Sequence, residues 1–181
     1  MRPSYKYVDS YRYTHFPYKP LRNFQRFEDM SGFLIEARYE LRDMQPHGEH
    51  GQRQRGVDYF GRDGRRAWVG VQAKLRSFGS LTRRTVEKDV RLAEGFHHLH
   101  HPLRRYVIVT SALPSKRLRN FVGELSCSYV SRKMFSIEIL FWPDVCEMLD
   151  SHPDIARRFY PLPKPPRNHN IRHLSLNRLR V

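Results

Sequence analysis

The sequence predicts an α/β domain with one mixed sheet held between helical layers, and three observations predict it. Helical and strand-like periodicities alternate along the chain from Asn23 onward. The run "RYVIVTSA" at 105–112 is apolar over four consecutive residues and β-branched, as a strand buried on both faces should be. Two further strand-like runs flank the turn residues Asp63-Gly64 and read as a hairpin.

Residues 1–22 are rich in tyrosine, arginine and proline without a steady period, and read as an extended arm able to pack by its aromatic rings. From Asn23, the residues Phe24, Phe27, Ser31 and Leu34 recur at helical spacing with Met30 and Ala37 beside them, which predicts a first helix over roughly 23–39. The polar stretch 43–56 carries three glycines and reads as a loop with room for a short edge strand. Strands follow over about 56–61 and 66–75. After Leu81, the residues Val86, Val90, Ala93 and Phe96 fall on one face of a second helix, with Thr82 as its N-cap. The apolar strand at 105–112 belongs in the centre of the sheet. Ser115 caps a third helix that runs to about Val130, and "FSIEILFW" alternates like another strand. "PDVCEML" and "PDIARRFY" read as short helices, because proline suits the first helical position. The end, 162–181, is proline-rich and then basic, a tail or linker outside the core. The domain proper is therefore 23–161.

Composition limits the function. The chain of 181 residues is 39% hydrophobic, enough for one buried core. Its 33 Lys+Arg against 18 Asp+Glu give a formal charge of +15, which favours a polyanionic partner through counterion release, with nucleic acid first. No apolar run approaches the roughly 20 residues of a membrane span, and the opening residues lack the apolar stretch of a signal peptide, so no membrane partner is expected. Cys127 and Cys146 lack paired-ligand spacing and read as reduced, buried thiols of a cytoplasmic protein.

The chemistry lies in "GVDYFGRDGRRAWVGVQAK". Side chains alternate along a strand, so Gly70, Gln72 and Lys74 share one face while Val69, Val71 and Ala73 share the other. Asp58 joins the first set only in some registers. A two-residue turn at Asp63-Gly64 pairs 58 with 69 and sends the carboxylate away. A three-residue loop, Asp63 to Arg65, pairs 58 with 70 and leaves Asp58 diagonal to Gln72. A shared face requires that register or another with an odd number of loop residues. A carboxylate and an amide oxygen on one face suit a hard cation such as Mg²⁺, which prefers oxygen ligands and keeps waters that a phosphate can displace. Lys74 at the rim would orient the attacking water and offset charge growing on the phosphorus oxygens, so the chemistry implied is phosphodiester hydrolysis.

These residues resemble the PD-(D/E)XK nuclease superfamily, with "GVD" for its first half and "QAK" for its second; the stretch "GQRQRGVDYFGRDGRRAWVGVQAK" is most similar to the Mrr-type, restriction-endonuclease-like branch. The resemblance implies a restriction-endonuclease-like fold: a mixed central β-sheet flanked by helices, with an αβββαβ core and a C-terminal extension. It also implies a glutamate on the first helix just after an aromatic residue, a position that Glu28 after Phe27 fills. Asp58, Glu28 and Gln72 are then the expected metal ligands, with Mg²⁺ as cofactor and Mn²⁺ as its substitute, and Lys74 serves the nucleophile. The similarity extends over about residues 24–160 and implies a bacterial DNA-cutting effector of antiphage defence. Two departures matter: Val57 stands for the proline, and Gln72 for the acid of the triplet. The second removes a negative charge from the metal site, so Glu28 carries more of the expectation.

Plainer readings apply elsewhere. Asp63 is a turn-former, and a glutamate such as Glu28 on an amphipathic helix is usually solvated. "HHLHH" at 97–101 ends a helix, where imidazoles meet its dipole or a phosphate, and its spacing argues against zinc. Pro143-Asp144 and Pro153-Asp154 are helix starts. The basic clusters at 83–85, 104–105, 115–119 and 132–133 are too numerous to be solvated faces alone, and several should hold phosphates without reading bases. The expected function is a metal-dependent endonuclease acting on double-stranded DNA with low sequence specificity. Restraint is expected from self-association or a regulatory sensor protein, with the tail from Pro161 either engaging it or once having led into a further domain. The alternative is a non-catalytic basic module that keeps the fold and binds DNA or RNA.

Overall fold

The computed structural model describes residues 13–48, 56–76 and 80–161. The first part of the arm, most of the loop before Gly56 and the tail 162–181 lie outside the described residues. The chain runs α1 (Phe24–Tyr39), β1 (Arg42–Pro46), β2 (Tyr59–Arg62), β3 (Trp68–Lys74), α2 (Arg83–Leu99), β4 (Leu103–Thr110), α3 (Lys116–Ser131), β5 (Ser136–Leu140), α4 (Trp142–Ser151) and α5 (Pro153–Phe159). The five strands among the described residues form one mixed sheet in the order β1-β2-β3-β4-β5. β1, β2 and β3 pair antiparallel, while β3, β4 and β5 pair parallel. A short strand does form within the polar stretch after the first helix, at the sheet edge. β3 takes the middle, and β4, read as central, is the interior strand beside it, buried on both faces.

Alternation along the strands divides the core in two. Val69, Val71, Ala73, Val107 and Val109 face α1, α4 and α5, against Phe27, Met30, Leu34 and Trp142. Leu103, Tyr106, Ile108, Ile137 and Ile139 face α2 and α3, against Val86, Val90, Ala93, Phe96 and Val122. The caps are as the sequence implies: Thr82 and Ser115 hydroxyls accept from the backbone N–H of Thr85 and Leu118. Asp144 accepts from the Phe141 N–H at 2.8 Å, so Pro143-Asp144 opens α4. β5 stops at Leu140, and Trp142 from "FSIEILFW" is already helical.

Three expectations are corrected. Phe24 is not on the buried stripe of α1: it is exposed in the first turn, and Glu28 is buried instead, in line with Ser31 and Ile35. Only one thiol is buried, Cys146, while Cys127 lies on the solvent side of α3. The hairpin loop is Asp63–Ala67, five residues and not three. Its Asp63 carboxylate accepts from the N–H groups of Arg65 and Ala67, both at 2.9 Å, and Arg66 takes φ 60°. Satisfying those donors locally is what makes the longer loop stable.

The segment at 13–22 is fastened to the domain. Tyr13 donates to the Ser111 carbonyl at 2.9 Å, Trp142 Nε1 to the Tyr18 carbonyl at 3.1 Å, and Tyr160 to the Lys19 carbonyl at 2.8 Å. Tyr13, Phe16 and Tyr18 pack on the first core, so this stretch does pack by its rings.

Candidate active site

The hairpin register decides which side chains meet. The ladder pairs Tyr59 with Val71, Phe60 with Gly70, Gly61 with Val69 and Arg62 with Trp68. One residue beyond the last pair, Asp58 comes level with Gln72. An odd loop length puts both on one face, with the carboxylate opposite the amide and not diagonal to it.

Asp58 stands one residue before β2, its backbone N–H donating to the Val71 carbonyl at 2.7 Å, and its Oδ2 accepts the Ala73 N–H at 2.7 Å. The same oxygen accepts a hydrogen bond from Gln72 Nε2. Asp58 is 3% exposed and Gln72 5%. Burial is the main force on the carboxylate and raises its pKa from 3.8 to about 7; the Ala73 N–H and the Lys74 charge oppose that rise, while Glu28 and Asp89 add to it. No hydrogen bond from a described residue reaches Oδ1.

The residues leading into Asp58 are held from two sides. Gly56 has φ 69°, and a Cβ there would sit 2.7 Å from the Asp89 carbonyl oxygen and 2.8 Å from Leu92 Cβ. Only glycine lets this turn lie flat on α2. Tyr106, buried under the sheet, donates to the Gly56 carbonyl at 2.6 Å.

Lys74 ends β3 on the face of Gln72, toward α2. Its ammonium lies 3.0 Å from Asp89 Oδ1, and its carbonyl accepts from Thr110 Oγ1 at 2.9 Å. Asp89 is 4% exposed, and its Oδ2 is buried with no partner among the described residues. Burial raises its pKa, and Lys74 pulls it back down. Sequence reasoning missed this residue. The signal was present: Asp89 is one turn before Ala93 and three residues after Val86, an acid inside the apolar stripe of an amphipathic helix.

Glu28 approaches from the other layer. It is buried rather than solvated, and its pKa is raised by burial and then by its neighbour Asp29. It forms no hydrogen bond or ion pair with Asp58, Gln72 or Lys74; its link to them is the Coulombic push on Asp58. α1 is set against β2 by Tyr59, whose ring lies 3.3 Å from where a Gly32 Cβ would be and whose hydroxyl donates to Asp29 at 2.7 Å.

The groups that could serve a cation are oxygens: the buried Asp58 carboxylate, the Glu28 carboxylate in the other layer and, if the amide turns, the Gln72 carbonyl. That set suits Mg²⁺, and buried carboxylates lacking full compensation are what a cation would complete. As placed, Gln72 turns its nitrogen toward Asp58. Among the described residues, no three His, Cys, Asp or Glu are grouped so as to hold a metal ion.

The other candidates fall as follows. His97 and His98 occupy the last turn of α2, and His101 stacks on Trp68 with ring centroids 3.9 Å apart. Arg104, Arg105 and Arg119 pair with Asp63, Glu138 and Asp144. The exposed Arg83, Arg84, Lys116 and Arg117 occupy the first turns of α2 and α3, where neither helix has an acid. No described helix is long and apolar enough to cross a membrane.

Comparison with known proteins finds no matching family model, no matching curated protein and no matching solved structure.

Proposed function

We propose that the chain is a metal-dependent DNA endonuclease of the restriction-endonuclease-like type, acting on double-stranded DNA with little sequence preference. One observation carries the reading: the buried Asp58 carboxylate meets Gln72 side by side, with Lys74 on the same strand face. The element order α1-β1-β2-β3-α2-β4 agrees with the αβββαβ core that the motif resemblance implies.

Asp58 and Glu28 would hold Mg²⁺, with Mn²⁺ able to replace it, and Gln72 would complete the set through its amide oxygen. Held there, the cation would supply a water of lowered pKa and would polarise the phosphorus centre. The chain's own residues do the rest. Asp58 is fixed by the Ala73 N–H, so its Oδ1, which no described residue bonds, has a set direction. Lys74 orients the attacking water and offsets charge on the non-bridging oxygens. One O–P bond forms from the attacking water, which gives up a proton to solvent, and the P–O bond to a sugar oxygen breaks, that oxygen taking a proton from solvent as it leaves.

Substrate docking is supported by charge placement. α2 follows β3 and α3 follows β4 along the chain, and the exposed Arg83, Arg84, Lys116 and Arg117 in their first turns oppose the helix dipoles. Cations there destabilise the helices slightly, and a polyanion lying across both ends relieves them. The role proposed for the tail is to engage a second copy or a sensor protein that restrains cutting. The setting is a bacterial cytoplasm under phage attack.

The test is plasmid nicking with Mg²⁺. Wild type should cut, and Asp58→Ala and Lys74→Ala should each lose about 10²-fold or more. Equal activity in all three ends the assignment. A second reading, a DNA- or RNA-binding module without catalysis, is favoured by the Gln72 amide nitrogen facing Asp58. Calorimetry separates the two: a pure binder takes up no Mg²⁺ or Mn²⁺ at a defined site and holds nucleic acid equally well after loss of Asp58.

A further inference from the structure

We propose that Asp89 is the positioning residue for Lys74, holding its ammonium beside the Asp58–Gln72 contact, where the nuclease reading, on which this inference rests, places the attacking water. Lysine carries a flexible four-carbon stem with many rotamers, so an unrestrained ammonium at a site's rim spends little time in one place. Here it is tied to Asp89 Oδ1 at 3.0 Å, with the lysine side chain 24% exposed and the aspartate 6%.

Packing does not call for an acid at this position. The other residues that α2 buries include Val86, Val90, Ala93 and Phe96, and an apolar side chain would continue that stripe. A carboxylate there is destabilising unless a cation meets it, and even with Lys74 in place its Oδ2 stays without a partner among the described residues. The acid therefore acts on Lys74 at some expense to the core.

The frame makes the placement definite. Gly56 presses the entry to Asp58 against the Asp89 backbone, 2.7 Å from where a Cβ would stand. Tyr106 holds the same glycine from the sheet side, and Thr110 fixes the Lys74 carbonyl. Asp58 and Asp89 are thus set by one contact, with Lys74 beside both. Asp89 reaches the reaction only through Lys74.

The experiment compares wild type, Asp89→Asn, Asp89→Glu, Lys74→Met and the Asp89→Asn/Lys74→Met double variant in Mn²⁺-dependent plasmid cleavage, with kcat and KM measured separately. ¹⁵N spectra of the lysine ammonium groups are recorded alongside, Lys74 being assigned by its loss in Lys74→Met. Expected are a kcat for Asp89→Asn about 10²-fold lower with KM unchanged, partial recovery in Asp89→Glu, and a double variant no slower than Lys74→Met alone. The Lys74 ammonium signal should be present in wild type and lost in Asp89→Asn. Full activity of Asp89→Asn, a rise confined to KM, or a double variant far slower than Lys74→Met overturns the proposal. If wild type itself does not cut, the nuclease reading fails, and a Lys74 signal that is unchanged in Asp89→Asn overturns the positioning as well.

Discussion

Asp58 is a carboxylate in a place that disfavours its charge. Burial sets its pKa near 7, with Glu28 and Asp89 adding to the rise. Because the folded-state value lies above the unfolded one, the fold binds a proton that the open chain gives up. Stability from this group is fully present below pH 3.8 and is lost as pH rises through about 7. Glu28 and Asp89 are shifted in the same direction. Thermal melts of the metal-free protein should therefore fall from pH 5 to pH 8. Asp58→Asn keeps an acceptor for the Ala73 N–H and removes the charge, so it should raise stability at pH 8 by on the order of 2–4 kcal/mol and flatten that trend. A pH trend identical to wild type in Asp58→Asn would show that the carboxylate is not the group responsible.

At the scale of the elements, the site depends on how tightly the entry to β2 lies on α2. Gly56→Ala places a Cβ 2.7 Å from a backbone oxygen that cannot swing aside, at a φ that side chains rarely take. The expected loss is about 2–4 kcal/mol in denaturant unfolding, more than the ~1 kcal/mol expected of Thr82→Ala, which removes only a cap. Cleavage should suffer with Gly56→Ala even at temperatures where it stays folded, because Asp58 and Asp89 lose their common frame. Equal stability of the two variants would contradict the close approach. The helix limits, caps and the faces of β3 were legible because each follows from local spacing. The strand register was not: the parity of the hairpin loop could be stated as a requirement, but five residues rather than three followed from how Asp63 serves its own loop N–H groups.

For the molecule as a whole, the positive excess is distributed unevenly in use. Some arginines are engaged in ion pairs on the surface, as with Arg105 and Glu138, and add little to stability. Those in the first turns of α2 and α3 have a different situation, at helix starts that carry no acid. Replacing Arg83, Arg84, Lys116 and Arg117 together with glutamine should leave folding intact, weaken duplex DNA binding, and reduce the slope of log affinity against log salt by about 0.9 for each phosphate that is no longer neutralised. An unchanged slope would place the polyanion on another face.

The sequence by itself determined the alternation of helices and strands, the caps, the basic character and the shared face of Gln72 and Lys74, since these rest on periodicity and composition. Only the tertiary structure decided that Glu28 is buried, that Asp58 touches Gln72 directly, and that Asp89 holds Lys74. Each of those depends on which helix lands on which face of the sheet, and a charge acquires its meaning there from what surrounds it once water is gone.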